Sequence, residues 1–189
     1  MAMLQNNEAW KNVKLGTSQD TIGQSGCLLC CYAMIAGNCG RAENPITLND
    51  KFKSRNGYIN GALLTPTSLS ELYPDIVYGG SQDFKSIEQL RSLLPQNNIV
   101  LELDFDSNPN DGIQTHFVLV GNIDNDIHLL DPIWGDCKFT DHYALDAVLK
   151  VFLYKRILPP NIPTAQQPLS KDEILSQIEL LLEKLRKLK

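Results

Sequence analysis

Cys27-Leu28-Leu29-Cys30-Cys31-Tyr32-Ala33-Met34-Ile35-Ala36-Gly37-Asn38 is the stretch on which the fold turns. Apolar side chains occupy nearly every position around a helical circumference, so a helix here keeps no face for water. It reads as a buried central helix, closed by Gly40. Just upstream, Asp20-Thr21-Ile22-Gly23-Gln24-Ser25-Gly26 is a polar loop that delivers Cys27 to the first turn of that helix. Outward from there the pattern mixes helices and strands. Thr47 to Ser54 reads as a short polar helix stopped by Asn56-Gly57. Ser86 to Leu94 is amphipathic, opens on a Ser86/Gln89 capping pair and is broken by Pro95. Ile99 to Phe105 and Val148 to Ile157 read as strands. His116 to Gly121 and Asp126 to Asp131 read as two more, flanking a hairpin loop at Asn122-Ile123-Asp124-Asn125. With helices first and strands later, the expected class is α+β: a central helix packed on an antiparallel sheet.

The chain has 189 residues with 43% hydrophobic and 21% charged content, which suits one globular domain and a short extension. The net charge of −5 excludes the basic footprint of a nucleic-acid binder. No apolar run approaches the roughly 20 residues of a membrane span, and MAMLQNNEAWKNVK lacks the apolar core of a secretory signal. Pro159, Pro160, Pro163 and Pro168 mark an extended linker over 159–169 and leave 1–158 as the domain. Ser170 and Glu173 then form a capping box for a helix over 170–189. Its Ile174, Ile178, Leu181, Leu185 and Leu188 are spaced 4, 3, 4, 3, the seam of a coiled coil. Two fates suit that stripe. It oligomerises the protein or docks it on a larger assembly, or it folds back on its own domain.

Five cysteines are an odd count with no signal peptide, which argues against a disulfide framework. Core thiols, a metal or redox site, and a reactive nucleophile remain. Cys27 stands apart, because the unpaired N–H groups and dipole at a helix start favour a thiolate. Cys30, Cys31 and Cys39 lie deeper and read as small core residues. Cys137 has no assigned role.

A thiol nucleophile needs a base. Among three histidines, His142 reads as a surface residue and His128 sits inside a strand. His116 opens an apolar strand directly after a polar loop, the position expected of a catalytic base. A hairpin turning about Ile123-Asp124 sets His116 directly opposite Asp131, whose carboxylate then orients the imidazole. Asp131 precedes Pro132, so a plain turn residue is the competing reading.

These residues also carry a resemblance. Thr21-Ile22-Gly23-Gln24-Ser25-Gly26-Cys27-Leu28-Leu29, Asn44-Pro45-Ile46-Thr47-Leu48-Asn49-Asp50 with Asn56-Gly57-Tyr58-Ile59-Asn60-Gly61, His116-Phe117-Val118-Leu119-Val120, and Asp131-Pro132-Ile133-Trp134-Gly135-Asp136 occur in this order. Together they resemble the papain-like cysteine peptidases of the C39-like group, in the stand-alone form of bacterial and bacteriophage proteins. The likeness spans roughly residues 10 to 157. It implies a papain-like fold and peptide-bond hydrolysis through an acyl-enzyme, with no cofactor and no metal. Cys27 is then the nucleophile, His116 the base and later acid, and Asp131 the orienting residue. The glutamine that such enzymes often place six residues before the cysteine is Thr21 here, so Gln24 becomes the side-chain candidate for the oxyanion hole, beside the Cys27 N–H.

The likeness further implies a cell-wall peptide (peptidoglycan) or a small protein as substrate, acted on from a phage virion or from an infected bacterial cytoplasm. Other readings remain open. A peptidase fold with an oligomerising tail suits a structural component of a phage particle. Cys27-x-x-Cys30 suits a thiol–disulfide redox pair, and Cys27, Cys30 and Cys31 with a histidine suit zinc, though no second ligand pair follows. Asp124-Asn125-Asp126 reads as a polar turn rather than a calcium loop.

Overall fold

In the computed structural model, Cys27–Asn38 is a helix in which Leu29 to Ala36 are buried without a break. Ordinary amphipathic helices expose one side, so this one must sit between other elements. The structure describes residues 1–105 and 114–157. The expected linker 159–169 and the helix 170–189, with Ile174, Ile178, Leu181, Leu185 and Leu188, lie outside the described residues.

The elements follow in chain order. Helix α1 is Ile22–Ser25, α2 is Cys27–Asn38, α3 is Pro45–Ser54, α4 is Ser68–Leu72 and α5 is Ile87–Leu93. The strands are β1 (Ile76–Gln82), β2 (Asn98–Asp104), β3 (Thr115–Ile123), β4 (Ile127–Asp131), β5 (Gly135–Lys138) and β6 (Val148–Arg156). The class is α+β. Six strands form one antiparallel sheet in the order β1-β6-β2-β3-β4-β5. No helix among the described residues is long and apolar enough to cross a membrane.

The sheet is apolar on both faces, and strand alternation divides its side chains. Val100, Leu119, Phe152 and Tyr154 join the α2 residues in one core. Leu101, Leu103, Val118 and Val151 join Leu90 of α5, Phe139 and Tyr143 in the other. Helix α2 packs directly on β3.

Several boundaries differ from the sequence reading for local reasons. Helix α3 begins at Pro45, two residues before the expected Thr47. The Asn44 side chain accepts the Thr47 N–H at 2.9 Å, and proline suits the first helical position, where its missing N–H has no partner to lose. Ser86 accepts the Gln89 N–H at 3.2 Å and caps α5, while Pro95 falls in a 3-10 turn over Leu94–Gln96. The sequence reading also missed α1, α4, β1 and β5. Three of these have five residues or fewer, too short for a period to register, and β1 carries Gly79-Gly80, which hides it.

The β3–β4 hairpin corrects a register. Ile123 lies opposite Ile127, so the loop is Asp124 to Asp126 and not Asn122 to Asn125. A bulge between Val120 and Asn122 then resets the pairing to Val120 with Leu129 and Leu119 with Leu130. His116 is therefore not directly opposite Asp131. One step further along, that register sets Asp131 across from Val118, two residues from His116 and on the same face.

Candidate active site

The loop before Cys27 is held from three sides. Ile22 N–H donates to Val13 O at 2.8 Å, and Gly23 N–H to Lys11 O at 2.9 Å. Buried Asn49 donates to Lys14 O at 3.0 Å and accepts from Gly16 N–H and the Tyr58 hydroxyl. Gly26, between α1 and α2, packs so closely that a Cβ there would sit 2.4 Å from Ile22 O. This tight join puts Cys27 at the first position of α2, where its N–H has no partner within the helix. Its thiol is half-buried.

His116 is only 3% exposed, at the start of β3. Its Nε2 donates to Asp131 Oδ1 at 3.0 Å, and Cys27 lines the same cleft and acts electrostatically on the ring. With Nε2 committed to the carboxylate, Nδ1 is the nitrogen left for the thiol. Phe105 meets the ring edge-on at 5.4 Å, and Tyr143 flanks it at 6.5 Å. Burial works against the charged ring, but Asp131 and Cys27 outweigh it and raise its pKa to about 9.

Asp131 is 0% exposed, a buried carboxylate that needs several donors. It has four. Besides His116, Oδ1 accepts Ile133 N–H at 2.7 Å and Trp134 N–H at 3.2 Å, while Oδ2 accepts the Tyr143 hydroxyl at 2.7 Å. Burial pushes its pKa up, yet the protonated ring and these donors hold it below the usual carboxylate range. The Asp131 carboxylate thus takes part in the turn and meets the His116 ring at once.

Gln24 lines the same cleft as Cys27 and His116. Its Oε1 accepts Thr21 N–H at 2.9 Å, completing a capping box on α1, and this leaves its NH2 as a donor. The cleft has a volume of about 530 Å³ and is walled by Leu28, Leu63, Phe105 and Ile133 among others. Apart from His116, its described lining carries no titratable side chain but Cys27.

Two contributors escaped the sequence reading. Tyr143 anchors the carboxylate, yet its only signal was a place in a polar segment beside His142. Gln5 is buried and ties the Asp131-Pro132 turn to the loop before Cys27, since its N–H donates to Pro132 O at 2.7 Å and its side-chain NH2 to Gly23 O at 3.0 Å. Nothing in the N-terminal sequence marked it.

The other candidates are spread elsewhere. His128 pairs with Asp124 at 2.9 Å on the hairpin, and His142 stacks on the half-exposed Trp134 ring at 4.5 Å. Asp124 accepts Asp126 N–H at 3.0 Å, the geometry of a polar turn. Cys30 and Cys31 are fully buried, and burial pushes both thiols well up. Cys39 is also buried, while half-buried Cys137 is raised to about 11 by burial and by Asp131, Asp141 and Asp136. Among the described residues no three His, Cys, Asp or Glu side chains converge as a metal site. No family model matches this chain, and no curated protein matches it in sequence.

Proposed function

We propose that this protein is a papain-like cysteine peptidase that cleaves peptide bonds in a cell-wall peptide or a small protein. The observation that carries the reading is His116, buried, hydrogen-bonded to the fully buried carboxylate of Asp131 and lining one cleft with half-buried Cys27. A histidine at pKa about 9 holds its proton at neutral pH, and a thiolate beside it is the nucleophilic partner of such a cation.

The chemistry then runs in two stages. Cys27 Sγ attacks the substrate carbonyl carbon, and the carbonyl oxygen becomes an oxyanion facing the Cys27 N–H and the Gln24 amide. The tetrahedral species collapses, the C–N bond breaks, and His116 gives its proton to the departing amine. An acyl-thioester remains on Cys27. Neutral His116 then takes a proton from water, whose oxygen attacks the thioester carbon. The acid product leaves and the thiolate–imidazolium pair is restored. Asp131 keeps the ring oriented throughout.

The cleft's own walls are largely uncharged and select no charge at the cut bond itself. Burial of Cys30 weighs against a redox pair with Cys27. The apolar spacing of Ile174, Ile178, Leu181, Leu185 and Leu188 suits self-association or docking on a phage particle. Sedimentation of the full chain against a chain ending at 157 tests that part.

The peptidase reading is tested on purified peptidoglycan and on a mixed peptide library. Wild type should cut one of them, and Cys27→Ala should abolish the cut with the far-UV spectrum unchanged. Iodoacetamide at neutral pH should label Cys27 well ahead of the other four cysteines. Hydrolysis that persists in Cys27→Ala, or equal labelling of all five thiols, would sink the reading.

A further inference from the structure

A second cavity of about 230 Å³ adjoins the cleft, with Leu28, Leu63, Leu64 and Phe117 as common walls. The rest of its lining is Tyr32, Phe152 and Tyr154 with Thr65, Pro66 and Glu102. The polar tips in this wall are already engaged. The Tyr32 hydroxyl donates to Thr65 O at 2.7 Å, and the Tyr154 hydroxyl to Pro66 O at 3.0 Å. Thr65 Oγ1 bonds Thr67 and Ser68.

Glu102 is the exception. It lies on β2 between Phe117 of β3 and Lys150 of β6, its directly opposite neighbours, and so faces the α2 side. The Lys150 ammonium is bonded to Asp83 instead, at 2.5 Å. No described residue gives Glu102 a hydrogen bond or an ion pair. Burial raises its pKa, and Lys150 offsets this only in part. A carboxylate in the wall of an apolar cavity, with Lys150 nearby but bonded elsewhere and no hydrogen bond of its own, is an unfavourable arrangement, which a cationic ligand relieves.

We infer that this cavity is a side-chain pocket for a substrate residue whose linear aliphatic chain ends in an amine, as in lysine. The inference rests on the peptidase reading and adds a substrate class to it. The methylenes lie along Leu28, Phe117 and Phe152, and the ammonium meets Glu102. This division suits a side chain with an apolar stem and a charged head. A purely apolar residue would fill the stem region but leave Glu102 unpaired. An acidic residue would be repelled. Leu28 follows Cys27 directly, so the recognised residue sits within two positions of the cut bond.

The test uses the full-length protein and a peptide library made by cutting bacterial protein after glutamate, which keeps lysines internal. The same library with its lysines acetylated is the control. Wild type should show lysine enriched at one position within two residues of the cut bond, and that enrichment should vanish after acetylation. Glu102→Gln should lose the lysine preference by roughly tenfold, the scale of a charge-assisted hydrogen bond, and still cut other peptides. Cleavage without lysine enrichment, or enrichment unchanged by acetylation, overturns the pocket assignment and leaves the peptidase reading standing. So does a Glu102→Gln protein that is less stable but cuts with the wild-type preference, since Glu102 would then serve only the strand pairing with Lys150. Failure of wild type to cut either library overturns the peptidase reading and this inference with it.

Discussion

Replacing Asp131 with asparagine keeps the shape of the side chain and removes its charge. Oδ1 can still accept from His116, Ile133 and Trp134, and the Tyr143 hydroxyl can turn to accept from the new NH2. The loss is therefore mainly electrostatic. Two unit charges about 4 Å apart attract by ~4 kcal/mol at an effective dielectric of about 20. The rise of His116 from 6.5 to about 9 corresponds to a net ~3 kcal/mol, after burial has worked against the charged ring. Removing the carboxylate should thus cancel the whole rise and bring the imidazole pKa to 6.5 or below.

The pH consequence has a definite sign. A raised folded-state pKa stabilises the protein fully below pH 6.5 and loses that stabilisation as pH climbs through about 9. Wild type should lose up to ~3 kcal/mol across that window, and Asp131→Asn should show a flatter profile. The imidazole can be followed by NMR titration. The reactivity of Cys27 can be followed by iodoacetamide labelling between pH 5 and 9. At neutral pH, labelling should slow by roughly tenfold or more in the variant, because no imidazolium remains to hold the thiolate. A folded Asp131→Asn protein whose imidazole titration and Cys27 labelling profile overlay those of wild type would refute the reasoning.

Tyr143→Phe removes one donor from a buried carboxylate and should cost about 1–3 kcal/mol in urea unfolding, with a fall in kcat/KM; unchanged stability would show that Oδ2 needs no such partner. Cys30→Ala should keep peptidase activity and lose about 1 kcal/mol of packing, whereas loss of function in a stably folded variant would favour the redox reading. Gln24→Ala should lower kcat by about 10²-fold with little change in KM, the pattern of a contact made to the oxyanion, and a change confined to KM would assign Gln24 to substrate binding instead.

The buried helix was legible because its evidence is local. Twelve residues with no polar face can only lie inside, and α2 does. The start of α5 was legible for the same reason, since a serine with glutamine three residues on satisfies helix-end donors within one turn. The hairpin was half legible. Its strands showed in their composition, but its register did not, because one bulged residue near Gly121 shifts every pair beyond it. The expected direct pairing of His116 with Asp131 failed, yet their hydrogen bond forms. The bulge leaves them two residues offset on one face, within side-chain reach.

The sequence by itself determined the α+β class, the buried Cys27–Asn38 helix and the short list of residues able to act as nucleophile, base and orienting acid. Each follows from properties carried by neighbouring residues: periodicity, capping and the chemistry of a thiol at a helix start. Tertiary structure alone decided that Tyr143 and two backbone N–H groups hold the Asp131 carboxylate, that Gln5 joins the Asp131-Pro132 turn to the loop before Cys27, and that Glu102 faces an apolar cavity without a partner. Those facts depend on chain segments far apart in sequence meeting in space. Burial and pairing belong to that meeting, and no local pattern encodes them.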